Sequence, residues 1–213
     1  MNGTYKHKRL FHRFIRLLVM IGMAISVMSI GQHVMAADFK KGYRVFQTGD
    51  YATAIEEWRP LAEAGNIDAQ YILGLMNLNG EGIPQDYAKA IKWLHRAAKA
   101  GNADAQFSLA NMYRKGKGVE QDHAKAITWY RRAAEAGDAS AQLNLGVMYG
   151  RGQGLPQNYI IAYMWFNLAA TQGNQQSVEN REIAIKRMTQ AQIAEGQRLS
   201  RECLARNYKN CAR

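Results

Sequence analysis

The chain runs to 213 residues, with a formal net charge of +11 and only two cysteines. Five of its cations fall at or before Arg16, so residues 37–213 carry +6, gathered mainly at Lys186, Arg187, Arg198, Arg201, Arg206, Lys209 and Arg213. These basic residues are not interleaved with aromatic ones, which argues against a protein that stacks nucleic-acid bases on rings.

Residues 1–36 read as an export leader. Lys6, Lys8, Arg9, Arg13 and Arg16 come first, with no acidic residue among them, and the mostly apolar run Leu17 to Ile30 follows. At about 1.5 Å per residue that run covers about 21 Å, short of the roughly 30 Å hydrocarbon core of a bilayer. Val34-Met35-Ala36 then offers small residues where a signal peptidase cuts. No cysteine stands near the cut, so a lipid anchor is not expected, nor any stable membrane anchor after cleavage. The expected location is periplasmic or secreted, and export is a second argument against a nucleic-acid partner.

Residues 37–65 read as a helical hairpin, with Tyr43 and Phe46 on its first helix and Asp50, Tyr51, Ala54 and Ile55 on its second. From there a period of 36 residues holds without a gap. It superposes Gly65, Gly101, Gly137 and Gly173, and likewise Trp93, Trp129 and Trp165. It also aligns Gly80/Gly82 with Gly116/Gly118 and Gly152/Gly154, and Gln85 with Gln121 and Gln157. Such a period marks stacked units, none of which can bury its apolar face alone. The units span 66–101, 102–137 and 138–173.

In the unit 66–101, Asp68 to Asn79 places Ala69, Leu73 and Met76 at helical spacing. Asn66 or Asp68 can cap that helix, and Gly80-Glu81-Gly82 stops it. Asp86 opens a second helix that turns Ala90, Trp93, Leu94 and Ala97 inward and ends at Gly101. Small residues at Gly74, Ala110 and Gly146 permit close helix approach. The expectation is an all-α solenoid, and Trp93, Trp129 and Trp165 are expected in its core. Residues 174–213 form the C-terminal cap with the basic tail. Asn174 to Met188 begins like another unit and diverges, and Thr189-Gln190-Ala191-Gln192 is a capping box for a last helix. Cys203 and Cys211 would stand about 12 Å apart on one straight helix, too far for a disulfide. The helix must break between them, with Asn207 as a left-handed cap, and the closed loop then contributes roughly 2–3 kcal/mol.

The run Ala105-Gln106-x-x-Leu109-Ala110-x-Met112-Tyr113-x-x-Gly116-x-Gly118-Val119, with Asp122-x-Ala124-Lys125-Ala126-x-x-Trp129-Tyr130-x-x-Ala133-Ala134 and Ala136-Gly137, resembles a Sel-one-like repeat. These repeats are relatives of tetratricopeptide repeats with a longer loop between the helices. The resemblance covers residues 37–188 and is most specific over Gly65 to Gly173. It implies a right-handed α-solenoid of helix pairs that acts as a protein-interaction scaffold. By analogy with tetratricopeptide proteins, the binding groove is lined by first-helix positions beside the core stripe. In this chain those are Tyr71, Leu75 and Asn79; Phe107, Asn111 and Lys115; and Leu143, Val147 and Arg151. An apolar floor with a polar, basic rim suits an extended peptide or a helix with acidic flanks.

No catalytic or metal-ligating set is legible. His95 and His123 have no partners at ligand spacing and read as surface residues. Asp86, Asp122 and Asn158 recur at a helix start and read as caps. The Gly-x-Gly pairs lack the Lys-Ser/Thr signature of a phosphate loop. No cofactor is implied. Some exported relatives of the resembled family are β-lactamase-like or penicillin-binding enzymes, but they carry a cysteine pair in every repeat, and this chain has none between Gly65 and Gly173. A cell-wall glycan partner has only the basic tail as a hint. The function read here is non-catalytic capture of a protein or peptide.

Overall fold

A computed structural model describes residues 38–211; the leader read over residues 1–36 and the terminal Arg213 lie outside them. Among the described residues there are ten helices and no strand. They are α1 (Phe39–Gln47), α2 (Tyr51–Glu63), α3 (Ile67–Asn79), α4 (Tyr87–Lys99) and α5 (Ala103–Lys115). Then come α6 (His123–Glu135), α7 (Ala139–Arg151), α8 (Tyr159–Thr171), α9 (Gln175–Ile185) and α10 (Gln190–Ala205). Two compact units meet in sequence within α3, between Ala69 and Gln70.

The first unit is a hairpin held by one aromatic side chain. Trp58 is fully buried, and its indole Nε1 donates to the Phe39 carbonyl at 3.2 Å. The ring lies so close to α1 that a Cβ on Gly42 would stand 2.5 Å from Nε1. Lys41 pairs with Glu57 at 2.5 Å, and Glu57 also accepts from the Asp38 amide.

The second unit is an all-α helical-repeat solenoid, in which α5 packs on α6, α6 on α7 and α7 on α8. Each inter-helix loop closes by the same bonds. Gly80, Gly116 and Gly152 sit at φ +76°, +65° and +67°, a conformation that costs glycine little. The recurring glutamine then ties the loop down: Gln85, Gln121 and Gln157 donate to the carbonyls of Leu78, Arg114 and Gly150 at 2.7–2.8 Å. Asp86, Asp122 and Asn158 cap α4, α6 and α8 by accepting from the amides of Lys89, Lys125 and Ile161. The second glycine of the later two pairs has a separate cause. A Cβ on Gly118 would stand 2.2 Å from Tyr87 Cβ, and one on Gly154 2.5 Å from His123 Cβ, so the loop touches the preceding second helix. The glutamine of the later two Ala-Gln pairs also links repeats: Gln106 and Gln142 are buried and donate to the carbonyls of Ala98 and Ala134.

The C-terminal cap closes this unit. Both bonds of the Thr189/Gln192 capping box are present at the start of α10. Past Ala205 the chain leaves the helix at Asn207 (φ 52°) and Tyr208 (φ 63°), and the Tyr208 amide returns to the Cys203 carbonyl. This brings Cys203 and Cys211 to a Cα separation of 5.2 Å, joined as a disulfide. The closed loop lies against the end of α6: Tyr208 is within 3.7 Å of a Cβ placed on Gly137, and Lys209 Nζ donates to the Glu135 carbonyl at 3.0 Å.

Candidate partner-binding face

The nine first-helix residues fall into three rows, because positions i, i+4 and i+8 stay on one side of a helix. Asn79, Lys115 and Arg151 at the row ends are exposed, whereas the other six are half-buried. Tyr71 and Phe107 rest on the main core, while Leu143 and Val147 rest on a smaller cluster of Ala162, Phe166 and Ala184. The third row thus touches α8 and α9 as well as its own helix, and it is tied more firmly into the fold than the other two.

Asn111 has an assignment within the fold. Its Oδ1 accepts from the buried Tyr130 hydroxyl at 2.7 Å, and Arg114 Nε donates to that hydroxyl at 3.1 Å. Phe107 lies 5.7 Å from the same ring. The other repeats place Leu75 with Leu94 and Val147 with Phe166 at the matching positions, so the polar pair arises together or not at all. Asn111 satisfies a buried hydroxyl that would otherwise cost about 1–3 kcal/mol. Sequence reading missed this pairing, although the joint departure from an apolar pair was visible in one repeat.

The row starts face carboxylates. Burial pushes the Tyr71 phenol above its ordinary value, and Asp104 and Asp138 add to the rise, while a hydrogen bond from Ser108 opposes it. Asp138 caps α7, accepting from the Ala141 amide at 2.5 Å. Burial raises its carboxyl above the usual range, the amide bond works against that, and Asp104 adds to it. The face therefore runs from carboxylates at the helix starts to Lys115 and Arg151 at the helix ends, in the sense that the helix dipole favours.

On the second helices the three tryptophans differ. Trp165 is fully buried and Trp129 is 8% exposed, but Trp93 is only half-buried, which corrects the expectation of three core residues. The cause is the cover. Arg96 lies over Trp93 at 4.9 Å and Arg132 over Trp129 at 4.7 Å, whereas α10 packs on α8. The histidines are not free surface residues either. His95 stands edge-on to Trp129 at 5.5 Å, and burial lowers its pKa, with Lys99 and Arg132 adding. His123 is half-buried beneath Gly154.

The basic tail is partly neutralised. Arg198 is bridged by Glu195 at 2.6 Å and by Glu202, and Arg206 reaches Glu202 at 3.7 Å. Lys186, Arg187 and Arg201 stay exposed. Among the described residues no group of three or more His, Cys, Asp or Glu side chains converges as a metal site would require. Within the same residues no helix is long and apolar enough to cross a membrane. The disulfide is of the kind that persists in an oxidising compartment.

Comparison with known proteins agrees with this architecture. A family model for the Sel1 repeat matches residues 67–102, 103–138 and 139–174, one residue later than the glycine-bounded units. The crystal structure of a Sel1 repeat protein from Oxalobacter formigenes is 37% identical, with a TM-score of 0.56, covering 60% of this chain and 96% of that one. A protective antigen present in uropathogenic Escherichia coli strains, displaying an SLR fold, is 28% identical with a TM-score of 0.56. That similarity covers 84% of this chain but 49% of the antigen, so the chain spans about half of its length. No curated protein matches. Three matched repeats over half of its length establish that the chain belongs to the Sel1 repeat family.

Proposed function

We propose that this protein is a non-catalytic scaffold, periplasmic or secreted, that captures a protein or peptide along its first-helix face. The observation that carries the reading is the band formed by Tyr71, Leu75 and Phe107: half-buried aromatic and apolar side chains on the first helices of two successive repeats, bounded by exposed Lys115 and Arg151. Membership of a family whose repeats generally mediate protein interactions supports it. Export is supported by the leader pattern in residues 1–36 and by the disulfide. The antigen relative points the same way. No observation favours the enzymatic or glycan-binding alternatives.

The test is site-specific photo-crosslinking in the exported protein. A photo-reactive phenylalanine analogue at Leu75 should yield a discrete adduct, and one at Lys92 on the outer side of α4 should not give the same band. Arg151→Glu should weaken that adduct in a salt-dependent way if the partner is acidic. Adducts that form only from second-helix or α10 positions would move the interaction off this face.

A further inference from the structure

The outer stripe of the second helices differs in kind from one repeat to the next. In α8 it carries Ile161, Met164 and Leu168, and α10 packs on that helix, leaving Met164 and Leu168 fully buried. In α4 the matching positions are Lys89, Lys92 and Arg96, followed by Lys99, and all four are exposed. The spacing i, i+3, i+7, i+10 keeps them on one line of the helix surface. In α6 the stripe carries Lys125 and Arg132. Lys89 and Lys125 are drawn to their capping aspartates at 3.1 Å. Lys92, Arg96, Lys99 and Arg132 have no carboxylate partner among the described residues.

Two features make this more than a solvated face. The guanidinium groups of Arg96 and Arg132 lie over indoles, in the same place in two successive repeats. Stacking fixes each planar fork and leaves its N–H edges free for a carboxylate. The contact of His95 with Trp129 joins α4 to α6, so the two stripes adjoin. The same side of α8 is already occupied by a helix, which shows what shape this surface accepts.

We infer that the outer face of α4 and α6 docks an acidic helical segment of another protein, in the manner in which α10 lies on α8. The site is distinct from the first-helix band, since it uses the other helix of each pair. A protein segment fits better than an anionic bilayer for two reasons. The indole of Trp93 lies beneath Arg96 and is not free to insert among lipid chains, and Glu135 ends the stripe on α6 with a negative charge.

The experiment uses the full chain and a fluorescein-labelled helical peptide of Glu-Ala-Ala repeats, read by anisotropy. Parallel arms use its Lys-Ala-Ala counterpart and phosphatidylglycerol vesicles. Binding should be confined to the acidic peptide and should fall with added salt. Lys92→Gln with Arg96→Gln and Lys99→Gln should weaken it at least tenfold, whereas Lys40→Gln at an exposed position of α1 should leave it unchanged. If the triple variant loses helicity, Lys92→Gln with Lys99→Gln, which keeps Arg96 on its indole, gives the same reading. Absence of peptide binding at low ionic strength, equal binding by the variant, or capture of vesicles in preference to the peptide would overturn the inference.

Discussion

Two glycines of α7 should respond to alanine in opposite directions. A Cβ on Gly146 would stand 2.4 Å and 2.5 Å from Phe166 Cε1 and Cδ1, more than an ångström inside ordinary contact. Phe166 is 5% exposed and packed with Ala162 and Ala184, and Gln142 ties α7 to the Ala134 carbonyl, so neither side has room to retreat. Overpacking costs about 1–3 kcal/mol, and a clash this deep falls in the upper part of that range, about 1.5–3 kcal/mol, against a helix-propensity gain of about 1 kcal/mol. Gly146→Ala should therefore lose about 0.5–2 kcal/mol, or roughly 1–8 °C in Tm at the 2–4 °C per kcal/mol expected for a unit of this size. At Gly150 the added Cβ meets only Ala162 Cβ at 3.6 Å, an ordinary contact. Gly150→Ala should keep most of the propensity gain and raise Tm. Circular-dichroism melts of both variants check the pair. Equal shifts of the same sign would refute the packing argument, because helix propensity alone treats the two positions alike.

Reducing the Cys203–Cys211 disulfide should cost roughly 2–3 kcal/mol. Hydrogen exchange should then rise at the Tyr208 amide, which is bonded to the Cys203 carbonyl, ahead of the core of α7; protection unchanged at Tyr208 would show that the disulfide does not hold the loop. Asp138→Asn keeps an N-cap of the kind Asn102 and Asn174 supply to α5 and α9. The folded carboxyl of Asp138 is raised above its unfolded value, so the folded state holds its proton more tightly and stability falls as pH rises between the two values. The Asn variant should thus gain on the parent above that window and lose the advantage below it. Urea melts at neutral and acidic pH would show this, and a loss at neutral pH would mean that the helix dipole outweighs the burial.

The repeat grammar was legible because its strongest requirements are local. Left-handed glycines, capping aspartates and a tethering glutamine must recur wherever the loop recurs, and all of them align at one shift. The break at Asn207 was legible for the same kind of reason, since two cysteines eight residues apart cannot meet on a helix. The first hairpin was harder to read. Its loop is four residues shorter, so Gly42 faces Trp58 across sixteen residues where Gly74 faces Leu94 across twenty, and a fixed shift hides the correspondence. The binding-face reading treated Asn111 as a groove-lining residue because the Tyr130 hydroxyl that it serves lies on another helix. Cover was the main omission. Arg96 and Arg132 stand three residues after Trp93 and Trp129 on the same helices, so the stacking is an i, i+3 pattern that the sequence displayed and the reading of the tryptophans as core passed over.

The position of α10 illustrates how charge can set register in a repeat array. The four residues between α9 and α10 keep α10 close to α8, on which α9 also packs. The side chains reinforce that placement. In α8 the run Tyr159 to Thr171 is apolar nearly all round, as expected of a helix covered on every side, and α10 meets it closely enough that a Cβ on Gly196 would stand 2.6 Å from Tyr163 Cδ1. One repeat earlier, α10 would have to cover Lys125 and Arg132, and two repeats earlier Lys89, Lys92, Arg96 and Lys99. Burying a cation without a partner costs several kcal/mol, so each shifted register would sacrifice a large part of a typical domain's margin of stability. The stripe that leaves α4 open to an acidic partner is thus the same feature that makes it a poor berth for the chain's own α10, whose two arginines are matched by Glu195 and Glu202.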